Sequence, residues 1–489
     1  MSSIFSSMLA LLPSMAPFAS YEAMSTSLIP SVCRCFPGDE CYPGIGDWDG
    51  FDQTTGDKLI ATVPIAAVCH NNQFATYDSV ACATLKDNWF PQKPTFLLLP
   101  PLWPGFWTLH LTSISLLKTY NSSVYTGKAA VVGSGVSSQQ AYEFADANNG
   151  IIVAGNCPNV ALAGGYGQGG GHGPLATEFG LAVDQVLEWQ VVIGVGTLVT
   201  ATPIQNPDLF WALSGGGGGT YGIVLSATMK FHPKVTSTSS ATLQFAPPIT
   251  TEGVAAYWQT VKMFLQSLPL MVDSGLQIVW TIGPGFFLVS PVAGLDVAQD
   301  TIDSLFSPTL SALDKAEIPY AYASLVSSSF LEYYNSANFG ANVSNSNTAG
   351  RLLPRSVVQN DTDSFISVLQ TTVDNGYLMA GVTLDVNKTV VPNAPEISLN
   401  PYWRKTLMNA DFINNTIGPV LAALTPDGAV YLNEAVVQQP NWKRAFHSTN
   451  YDRLHAIKAK YDPLDRFYAL GTVGSDRWIE RKDGHLCEA

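Results

Sequence analysis

Charged residues are scarce in this sequence, and basic residues are the scarcest. Only 13% of the 489 residues are charged, with 24 Lys and Arg against 38 Asp and Glu, which gives a net charge of −14. No run of Lys or Arg forms a basic patch that could meet nucleic-acid phosphates or an anionic membrane. No apolar run is long enough to cross a bilayer. We therefore expect an acidic globular protein with neither nucleic-acid nor membrane partners.

Several common cofactor and metal motifs are also missing. The five glycines at 215–219 are not followed by Gly-Lys-Ser/Thr, which excludes a nucleoside-triphosphate loop. The spacing of the glycines after Gly167 does not fit a dinucleotide-binding Rossmann fingerprint, and no acidic residue closes a second strand. No Cys-x-x-Cys pair or nearby histidine doublet supports a zinc site. We predict no metal.

Glycine itself is abundant in two places, residues 164–171 and 215–219. Each cluster lies beside an apolar run, so the backbone there passes close to something that leaves no room for a Cβ atom. A large flat cofactor with a diphosphate would impose that requirement. Taken alone, the glycines are equally compatible with a purely structural role.

Three features favour the secretory pathway. Residues 1–20 form an apolar leader with small residues at Ala16 and Ala19, although the usual basic n-region is missing and a disordered terminus is the alternative. Asn-x-Ser/Thr acceptor sites, which we predict to be glycosylated, occur at Asn121, Asn342, Asn360, Asn387 and Asn414. Cysteines cluster near the amino terminus, which suits a disulfide-stapled segment in an oxidising compartment. We expect a secreted or vesicular protein.

The cysteines divide into a cluster and two outliers. Cys157 stands apart, and Cys487 lies in a polar tail, where we interpret it as incidental. The cluster consists of Cys33, Cys35, Cys41, Cys69 and Cys82.

The periodicity indicates an α+β fold with two lobes. Strands and short helices alternate with glycine turns up to residue 235, including a hairpin over 186–200 and a strand over 222–231. From 237 to 427, strands at 240–245, 275–282, 286–292 and 376–386 are interleaved with helices at 252–268, 295–305 and 363–375. This pattern is typical of a sheet covered by helices. Other predicted elements are strands at 59–68, 129–136 and 151–154, and helices at 77–89, 138–149, 206–213 and 450–461.

One combination of motifs is specific. It comprises Gly-x-Cys-Pro-x-Val at 155–160, Gly-Gly-x-x-x-Gly-Gly-Gly-His at 164–172, Gly-Leu-x-x-Asp at 180–184, Asn-Pro-Asp-Leu-Phe-Trp-Ala-Leu at 206–213, Thr-Tyr-Gly-Ile-Val at 220–224, Asn-Tyr-x-Arg-Leu at 450–454 and Lys-Tyr-Asp-Pro at 460–463. In this order the motifs strongly resemble the FAD-linked oxidoreductases of the berberine bridge enzyme type, in the p-cresol methylhydroxylase and vanillyl-alcohol oxidase superfamily. The cysteine-rich segment at 33–43 is similar to the start of many fungal members.

The resemblance implies a two-part PCMH-type FAD-binding domain with an inserted α+β substrate domain whose antiparallel sheet is covered by helices. After a signal peptide at 1–20, we expect the FAD-binding domain at 21–235, the substrate domain at 236–427 and a returning carboxy-terminal segment at 428–480.

The resemblance also implies the cofactor site. It places Cys157 where the family attaches the flavin ring through a 6-S-cysteinyl bond; an exposed turn with a competent thiolate suits this chemistry, and a buried core thiol is the alternative. His172 either lines the cofactor or packs at a helix start, and Asp184 fixes a loop beside the site. Asn450 and Tyr451 are expected at the pyrimidine edge of the flavin. The remaining cofactor-binding candidates are Gly164, Gly165, Gly169, Gly170, Gly171, Gly217, Gly222, Ile223 and Val224.

One departure from the family pattern concerns the diphosphate cradle. Bicovalent members carry a second attachment histidine in an Arg-Asn-Ser/Thr-Gly-His loop, and no such run exists here. His110 is the only histidine between Cys82 and Cys157, and it resembles the segment after that loop. The irregular stretch at 91–107 occupies the corresponding position. Either the gene model has lost an exon there, or the protein lacks part of the first subdomain and half of its diphosphate cradle, and retention of FAD is in question.

These residues predict an oxygen-dependent oxidase. Tyr431 or Glu434, which fall where the family places residues on the substrate side of the ring, is the expected base; either a phenolate or a carboxylate of raised pKa would take the substrate proton while FAD accepts the hydride. For Tyr431 the alternative is a strand tyrosine with a satisfied hydroxyl. The substrate is expected to be a small organic molecule, in particular a secondary metabolite, and O2 the oxidant that yields H2O2. Alternatives are an oligosaccharide oxidase, a redox-inactive cyclase or isomerase, and a non-catalytic remnant.

Overall fold

The structure is a computed structural model that describes most of the chain. It covers residues 33–35, 39–54, 65–71, 77–87, 111–337, 349–387, 389–392, 394–412, 417–436, 438–482 and 484–489. The predictions for the leader at 1–20, the stretch at 91–107, His110, Asn342 and Asn414 lie outside these residues. The chain divides into two units, Met1–Phe51 with Asp476–Ala489, and Asp52–Ser475.

The first elements are short and helical. Helix α1 is Ile45–Thr54, and helix α2, Ser79–Asp87, follows a 3₁₀ helix at Ile65–Cys69. A disulfide joins Cys69 to Cys82 and so ties α2 to the 3₁₀ helix. The helix predicted at 77–89 is confirmed over α2. The strand predicted at 59–68 is wrong in its described part, because residues 65–68 lie in the 3₁₀ helix.

An antiparallel sheet of five strands forms the amino-terminal part of the larger unit, in the order β1-β2-β6-β4-β5. A two-residue ladder of β3 and β7 lies apart from it. The strands are β1 Ile114–Asn121, β2 Thr126–Gly133, β3 Gly150–Ile151, β4 Val186–Ile193, β5 Leu198–Ala201, β6 Gly222–Lys230 and β7 His232–Pro233. The helices of this part are α3 Ser138–Ala147, α4 Gly167–Gly169, α5 Ala176–Phe179 and α6 Pro207–Leu213.

Local sequence explains why α3 begins where it does. The Ser137 side chain accepts a hydrogen bond from the Gln140 backbone N–H, and the Gln140 side chain accepts one from the Ser137 N–H. This reciprocal capping box satisfies two amides that a helix start leaves unpaired. The buried face of α3 carries Tyr142.

The second sheet is antiparallel and has seven strands, in the order β11-β8-β10-β9-β13-β14-β12. Its strands are β8 Thr238–Phe245, β9 Leu276–Gly283, β10 Phe286–Leu295, β11 Tyr320–Ser327, β12 Ala349–Pro354, β13 Met379–Thr383 and β14 Thr406–Phe412. The helices of this part are α7 Thr251–Asp273, α8 Gln299–Lys315, α9 Phe330–Ser336, α10 Arg355–Gln359, α11 Thr362–Asp374 and α12 Ile417–Leu424.

The two faces of this sheet have different roles. Side chains alternate between the faces along each strand. One face carries large buried rings such as Trp280 and Phe287, which pack with Phe365 of α11 in a helix-covered core. The other face, near β12, β13 and β14, contributes Leu352 and Val382 to a separate apolar cluster shared with Tyr431. This second face lies against the segments that build the candidate site.

The carboxy-terminal part of the larger unit is fastened to the glycine-rich region. It contains α13 Trp442–His447 and α14 Tyr451–Tyr461. Lys458 of α14 is 2% exposed, and its ammonium group donates to Thr220 O at 3.0 Å, Asp462 Oδ2 at 2.8 Å and Phe467 O at 2.8 Å. All three N–H donors of this buried ammonium are therefore satisfied, one of them by the residue next to Gly219.

The smaller unit brings the two ends of the sequence together. Strands β15, Trp478–Glu480, and β16, Leu486–Glu488, pair antiparallel. Disulfides join Cys33 to Cys487 and Cys35 to Cys41. The prediction that Cys487 is incidental is therefore wrong. The amino-terminal cluster has five cysteines, so at most four of them can pair with one another. The fifth, Cys33, pairs with Cys487.

The α+β class and the helix-covered antiparallel sheet are confirmed. Most predicted elements of the described residues are present, with boundaries shifted by a few residues, but the strand at 151–154 is reduced to Gly150–Ile151. Strands β1, β11, β12 and β14 were not predicted. No helix among the described residues is long and apolar enough to span a membrane. Among the same described residues, no group of His, Cys, Asp or Glu side chains could hold a metal ion.

We expect the Cys33–Cys487 disulfide to contribute about 2–5 kcal/mol to stability, because it restricts a very long loop in the unfolded chain. Cys487→Ser should lower the midpoint of thermal unfolding under non-reducing conditions. Cys157→Ser, which removes the free thiol, serves as the control when parent and variants are compared without FAD, and its midpoint should then stay within a degree or so of the parent. An unchanged midpoint in Cys487→Ser would contradict the expectation.

Candidate cofactor and active site

The two glycine clusters are hydrogen-bonded to each other. The backbone N–H groups of Gly215 and Gly217 donate to the carbonyl oxygen of Gln168, at 2.9 and 3.2 Å. Nearby, a Cβ atom added at Gly218 would lie 2.6 Å from Cα of Gly165, closer than real Cβ contacts come. Side chains at these positions would separate the two segments. The clusters predicted separately from the sequence therefore form one cradle of bare backbone.

The Cys157 thiol lies in the loop that leads from β3 toward this cradle. It is half-buried and is the free cysteine of the described residues. Burial raises the pKa of this thiol, and the negative charge of Glu434 raises the pKa further. The electrostatic effect also shows that Cys157 and Glu434, which are far apart in sequence, lie in one site.

A chain of polar side chains crosses the site from the cradle to the second sheet. His172 Nε2 lies 2.9 Å from Glu434 Oε1, and the Asn409 amide donates to Glu434 Oε2 at 2.5 Å and to Asp411 Oδ1 at 3.3 Å. Asn409 and Asp411 are two residues apart on β14, so their side chains lie on the same face of the sheet. Glu434 lies in a 3₁₀ turn at Leu432–Glu434. We call these four side chains the acidic chain.

The pKa shifts divide the protons within the acidic chain. Burial raises the pKa of Asp411 well above its ordinary value, and the charge of Glu434 raises it further. Burial alone would raise the pKa of Glu434 and lower that of His172, but their charges and shared hydrogen bond reverse both effects. These directions favour the charged forms of Glu434 and His172 and the neutral form of Asp411. The carboxyl group of raised pKa is thus Asp411, whereas the sequence reasoning considered this state for Glu434.

Tyr431 keeps its proton. Its hydroxyl oxygen accepts hydrogen bonds from Gly171 N–H at 3.1 Å and from the Asn433 amide at 2.8 Å. Burial, followed by the charge of Glu434, raises the pKa of Tyr431 far above the ordinary value of tyrosine. The ring packs edge-on against His172, with centroids 5.4 Å apart. A phenolate at Tyr431, one of the two bases considered from the sequence, is therefore disfavoured.

Asp184 lies in an ion pair. Its two carboxylate oxygens accept from the Arg404 guanidinium at 2.5 and 2.9 Å, and one of them also accepts from Leu181 N–H at 3.0 Å. The side chain is buried, and this bidentate pairing fixes the loop after Gly180. Both contacts agree with the structural role considered for Asp184.

The other predicted cofactor residues lie on the rim of the cradle or on its supports. Gly169 and Gly170 pack against Asn433 and Leu399. The Asn450 amide donates to Ser398 O at 3.0 Å, and the Tyr451 hydroxyl oxygen accepts from Gly474 N–H at 3.2 Å. Gly164, Gly165, Gly222, Ile223 and Val224 complete the set, and Gly222, Ile223 and Val224 lie on β6.

Sequence reasoning missed Asn409 and Asp411. Both lie in the segment Leu-Met-Asn-Ala-Asp-Phe, where two polar residues alternate with apolar ones. That alternation is typical of a strand with one polar face, and it was the available signal.

The residues present fit a flavin. Buried polar atoms without a partner among the described residues include Gln168 Oε1, His172 Nδ1 and Asn156 Oδ1, all in or beside the cradle segments. Buried polar atoms need partners, and the polar edge of a planar cofactor would supply them. The bare glycine backbone leaves room for such a ring. The stretch in which a second attachment loop would be expected lies outside the described residues.

Comparison with known proteins decides the family. Residues 108–202 match the family described as FAD binding domain, and residues 430–470 match the family Berberine and berberine like. The FAD-linked oxidoreductase sor8 of Hypocrea jecorina is 36% identical over 565 aligned positions, which cover 98% of this chain and 97% of that protein. The chain belongs to the berberine bridge enzyme-like FAD-linked oxidoreductases.

Further relatives agree on this flavoprotein family. The VAO-type flavoprotein oxidase VAO615 of Thermothelomyces thermophilus is 31% identical, covering 94% of this chain and 95% of that protein. The crystal structure of VAO-type flavoprotein MtVAO615 from Myceliophthora thermophila superposes with a TM-score of 0.84 at 30% identity, covering 94% of this chain and all of that one. This flavoprotein is therefore an FAD oxidoreductase with a small-molecule substrate.

Two more distant similarities extend this comparison. The bifunctional decalin synthase calF of Penicillium decumbens is 29% identical, covering 94% of this chain and 95% of that protein. The glucooligosaccharide oxidase of Acremonium strictum superposes with a TM-score of 0.56 at 20% identity, covering 73% of this chain and 80% of that one. The second similarity is one of fold alone.

We expect the His172–Glu434 pair to make the stability of the flavoprotein depend on pH. The folded-state pKa of His172 is raised, so its contribution is complete below the ordinary pKa of histidine, about 6.5, and is lost as pH rises through the raised value. In urea unfolding at pH 5.5, the free energy of unfolding of the parent should exceed that of His172→Gln by about 1–3 kcal/mol, the usual contribution of a hydrogen bond to a charged group. The difference should shrink toward pH 8.5.

His455→Gln is the matched control, since it removes a partly exposed histidine outside the acidic chain. It should show no comparable pH-dependent difference from the parent. A stability difference between parent and His172→Gln that stays constant from pH 5.5 to 8.5 would rule out the charged pair.

Proposed function

We propose that this flavoprotein is an oxidase that removes two electrons and two protons from a small, mainly apolar organic molecule, such as a secondary metabolite. FAD, when bound, supplies the two-electron acceptor that oxidises a substrate C–H bond and returns the electrons to O2 as hydrogen peroxide. The observation that supports the proposal most directly is the acidic chain, which holds an ionised carboxylate beside the cradle and near Cys157.

Within this proposal Glu434 is the general base. It is ionised, about a third exposed, and held by His172 and Asn409 on its two oxygens. A substrate O–H or N–H group placed against it can give up its proton as the adjacent C–H bond is oxidised. The proton on Asp411 prevents a second negative charge from accumulating next to Glu434. Tyr431 orients the substrate and does not act as the base, because it keeps its own proton.

The substrate class is inferred from a neighbouring cavity. A cavity of about 670 Å³ has a mixed lining. Apolar side chains such as Phe412 and Val430 line it together with the polar side chains of Arg351, Gln439 and Arg444. Gly350, which also lines it, lies beside the acidic chain: a Cβ atom there would lie 3.1 Å from Glu434 O and 3.4 Å from Asp411 Oδ1. A cavity of this volume and mixed lining suits a small organic molecule with an apolar body and a few polar groups.

We further infer that FAD is attached covalently through Cys157, the free thiol of the described residues, and that the protein acts in the secretory pathway. Three disulfides are typical of an oxidising compartment. Of the predicted glycosylation sites, Asn121 and Asn360 are exposed. The Asn387 amide is partly buried and donates to Asp385 at 2.8 Å, so it is a poorer acceptor.

Covalent attachment predicts a simple colour test. After acid precipitation and washing, the pellet of the parent protein should keep its flavin absorbance, because a thioether survives denaturation. The pellet of Cys157→Ser should be colourless, while the native variant still binds FAD without a covalent bond. Equal flavin in both pellets, or none in either, would exclude the thioether.

The role of Glu434 predicts a loss of turnover without a loss of cofactor. With any substrate that reduces the parent, Glu434→Gln should slow flavin reduction by about 10²–10⁴-fold, the usual effect of removing a general base. Tyr431→Phe, a matched change of one hydroxyl, should slow it much less. Stopped-flow absorbance under anaerobic conditions measures both. A larger loss in Tyr431→Phe than in Glu434→Gln would assign the base to tyrosine.

A redox-neutral cyclase or isomerase is the second candidate, because a relative is named a bifunctional decalin synthase. The family motif for a second flavin attachment is also absent from this sequence. Product formation without O2, without peroxide and without flavin reduction would favour this candidate over the oxidase.

A further inference from the structure

The loop around Cys157 is held mainly by its own domain. The Gly155 N–H donates to the Ser138 hydroxyl at 3.2 Å, and the Gly155 carbonyl accepts from the Tyr142 hydroxyl at 3.2 Å. After the cysteine, the carbonyl of Pro158 accepts from the Gln139 N–H at 3.1 Å. All three partners belong to α3 of the amino-terminal part. These contacts fix the loop two residues before the thiol and one residue after it.

The residue next to the thiol is held by helix α9, whose buried rings share one apolar core with α3. The Tyr334 hydroxyl, on α9, donates to the carbonyl oxygen of Asn156 at 2.8 Å. Its ring packs edge-on against Tyr142, with centroids 4.5 Å apart, and is 4% exposed. A second link joins the same helices, since the Gln139 amide donates to Asn335 Oδ1 at 3.1 Å. Helix α9 is thus docked on α3 with a phenol on the peptide that precedes Cys157.

The thiol needs this support because its surroundings do not activate it. Reactive cysteines usually have a depressed pKa from a cation or a helix amino terminus. Here burial and then Glu434 raise the pKa of Cys157, and the side chains of Tyr166 and Tyr334 interact with the thiol. Efficient bond formation must then depend on holding the sulfur in line with the ring carbon.

We propose that Tyr334 is a positioning residue for flavin attachment: by fixing the Asn156 carbonyl, it aims the Cys157 sulfur at the flavin ring. This rests on the proposed function. Forming the thioether removes one hydrogen from the thiol and one from the ring carbon. The two electrons reduce the bound flavin, and dioxygen, the oxidant of the proposed reaction, takes them up as hydrogen peroxide. Packing of α9 against α3 is therefore a condition for rapid attachment.

Tyr334→Phe tests the proposal, because it removes one hydroxyl and keeps the ring that packs on Tyr142. Apoprotein is mixed with FAD in air, and acid-stable flavin in the precipitate is followed over time. Attachment should be about three- to tenfold slower than in the parent, which corresponds to the loss of one net hydrogen bond. The total flavin bound should not change, and the unfolding midpoint of the apoprotein should fall no further than in the control variant Tyr333→Phe, which separates positioning from a general structural role.

Tyr333→Phe is the matched control, since it removes a buried hydroxyl from the neighbouring position of the same helix. Its attachment rate should equal that of the parent. An unchanged rate in Tyr334→Phe, or an equal slowing in Tyr333→Phe, would overturn the role of Tyr334 while leaving covalent attachment intact. If the parent itself forms no acid-stable flavin, and Cys157→Ser does not differ from it, the thioether of the proposed function fails and the positioning role fails with it.

Discussion

The close approach of two stretches of bare backbone is the constraint on which the rest of the site depends. Gly215 and Gly217 share the carbonyl of Gln168, and Gly218 passes Gly165 with no room for a methyl group. This contact brings the glycine cluster at 164–171 next to the one at 215–219, and so fixes the position of Thr220, on which α14 docks. The buried ammonium of Lys458 then joins α14 to Thr220. One backbone contact thereby places elements from both ends of the larger unit around a single space.

The chemistry of the site arises where this space meets the second sheet. Neither part alone holds an ionised base: the cradle contributes an imidazole, and β14 contributes an amide and a carboxyl group. Glu434 lies between them and is ionised because the favourable charge of His172 and the hydrogen bonds outweigh the effect of burial. Burial and the charge of Glu434 raise the pKa of Asp411, which has no cation beside it, and so favour its neutral form. The two acids differ because of their neighbours, as expected when environments push pKa values apart.

The sequence predicted the class of fold, the cofactor and the residues of the cradle, because glycine clusters and motif order are local properties. It also predicted Cys157, His172, Tyr431 and Glu434 as members of one site. It did not predict Asn409, Asp411 or Tyr334, because none of them lies in a family motif. They reach the site only through the order of the strands in the sheet and the packing of α9 on α3. The role of Cys487 was misjudged for the same reason, since pairing across 454 residues leaves no local pattern. Whether a given carboxyl is ionised also depends on neighbours that periodicity does not show.

The Cys33–Cys487 bond has a consequence for how the protein withstands proteolysis. It turns nearly the whole polypeptide into a covalent ring, so a single proteolytic nick anywhere inside the ring opens it without releasing a fragment. The two pieces stay tethered and can keep their packing, whereas reduction of the bond would let them separate. In an environment rich in proteases and oxidants, the ring thus protects the molecule against its first cut.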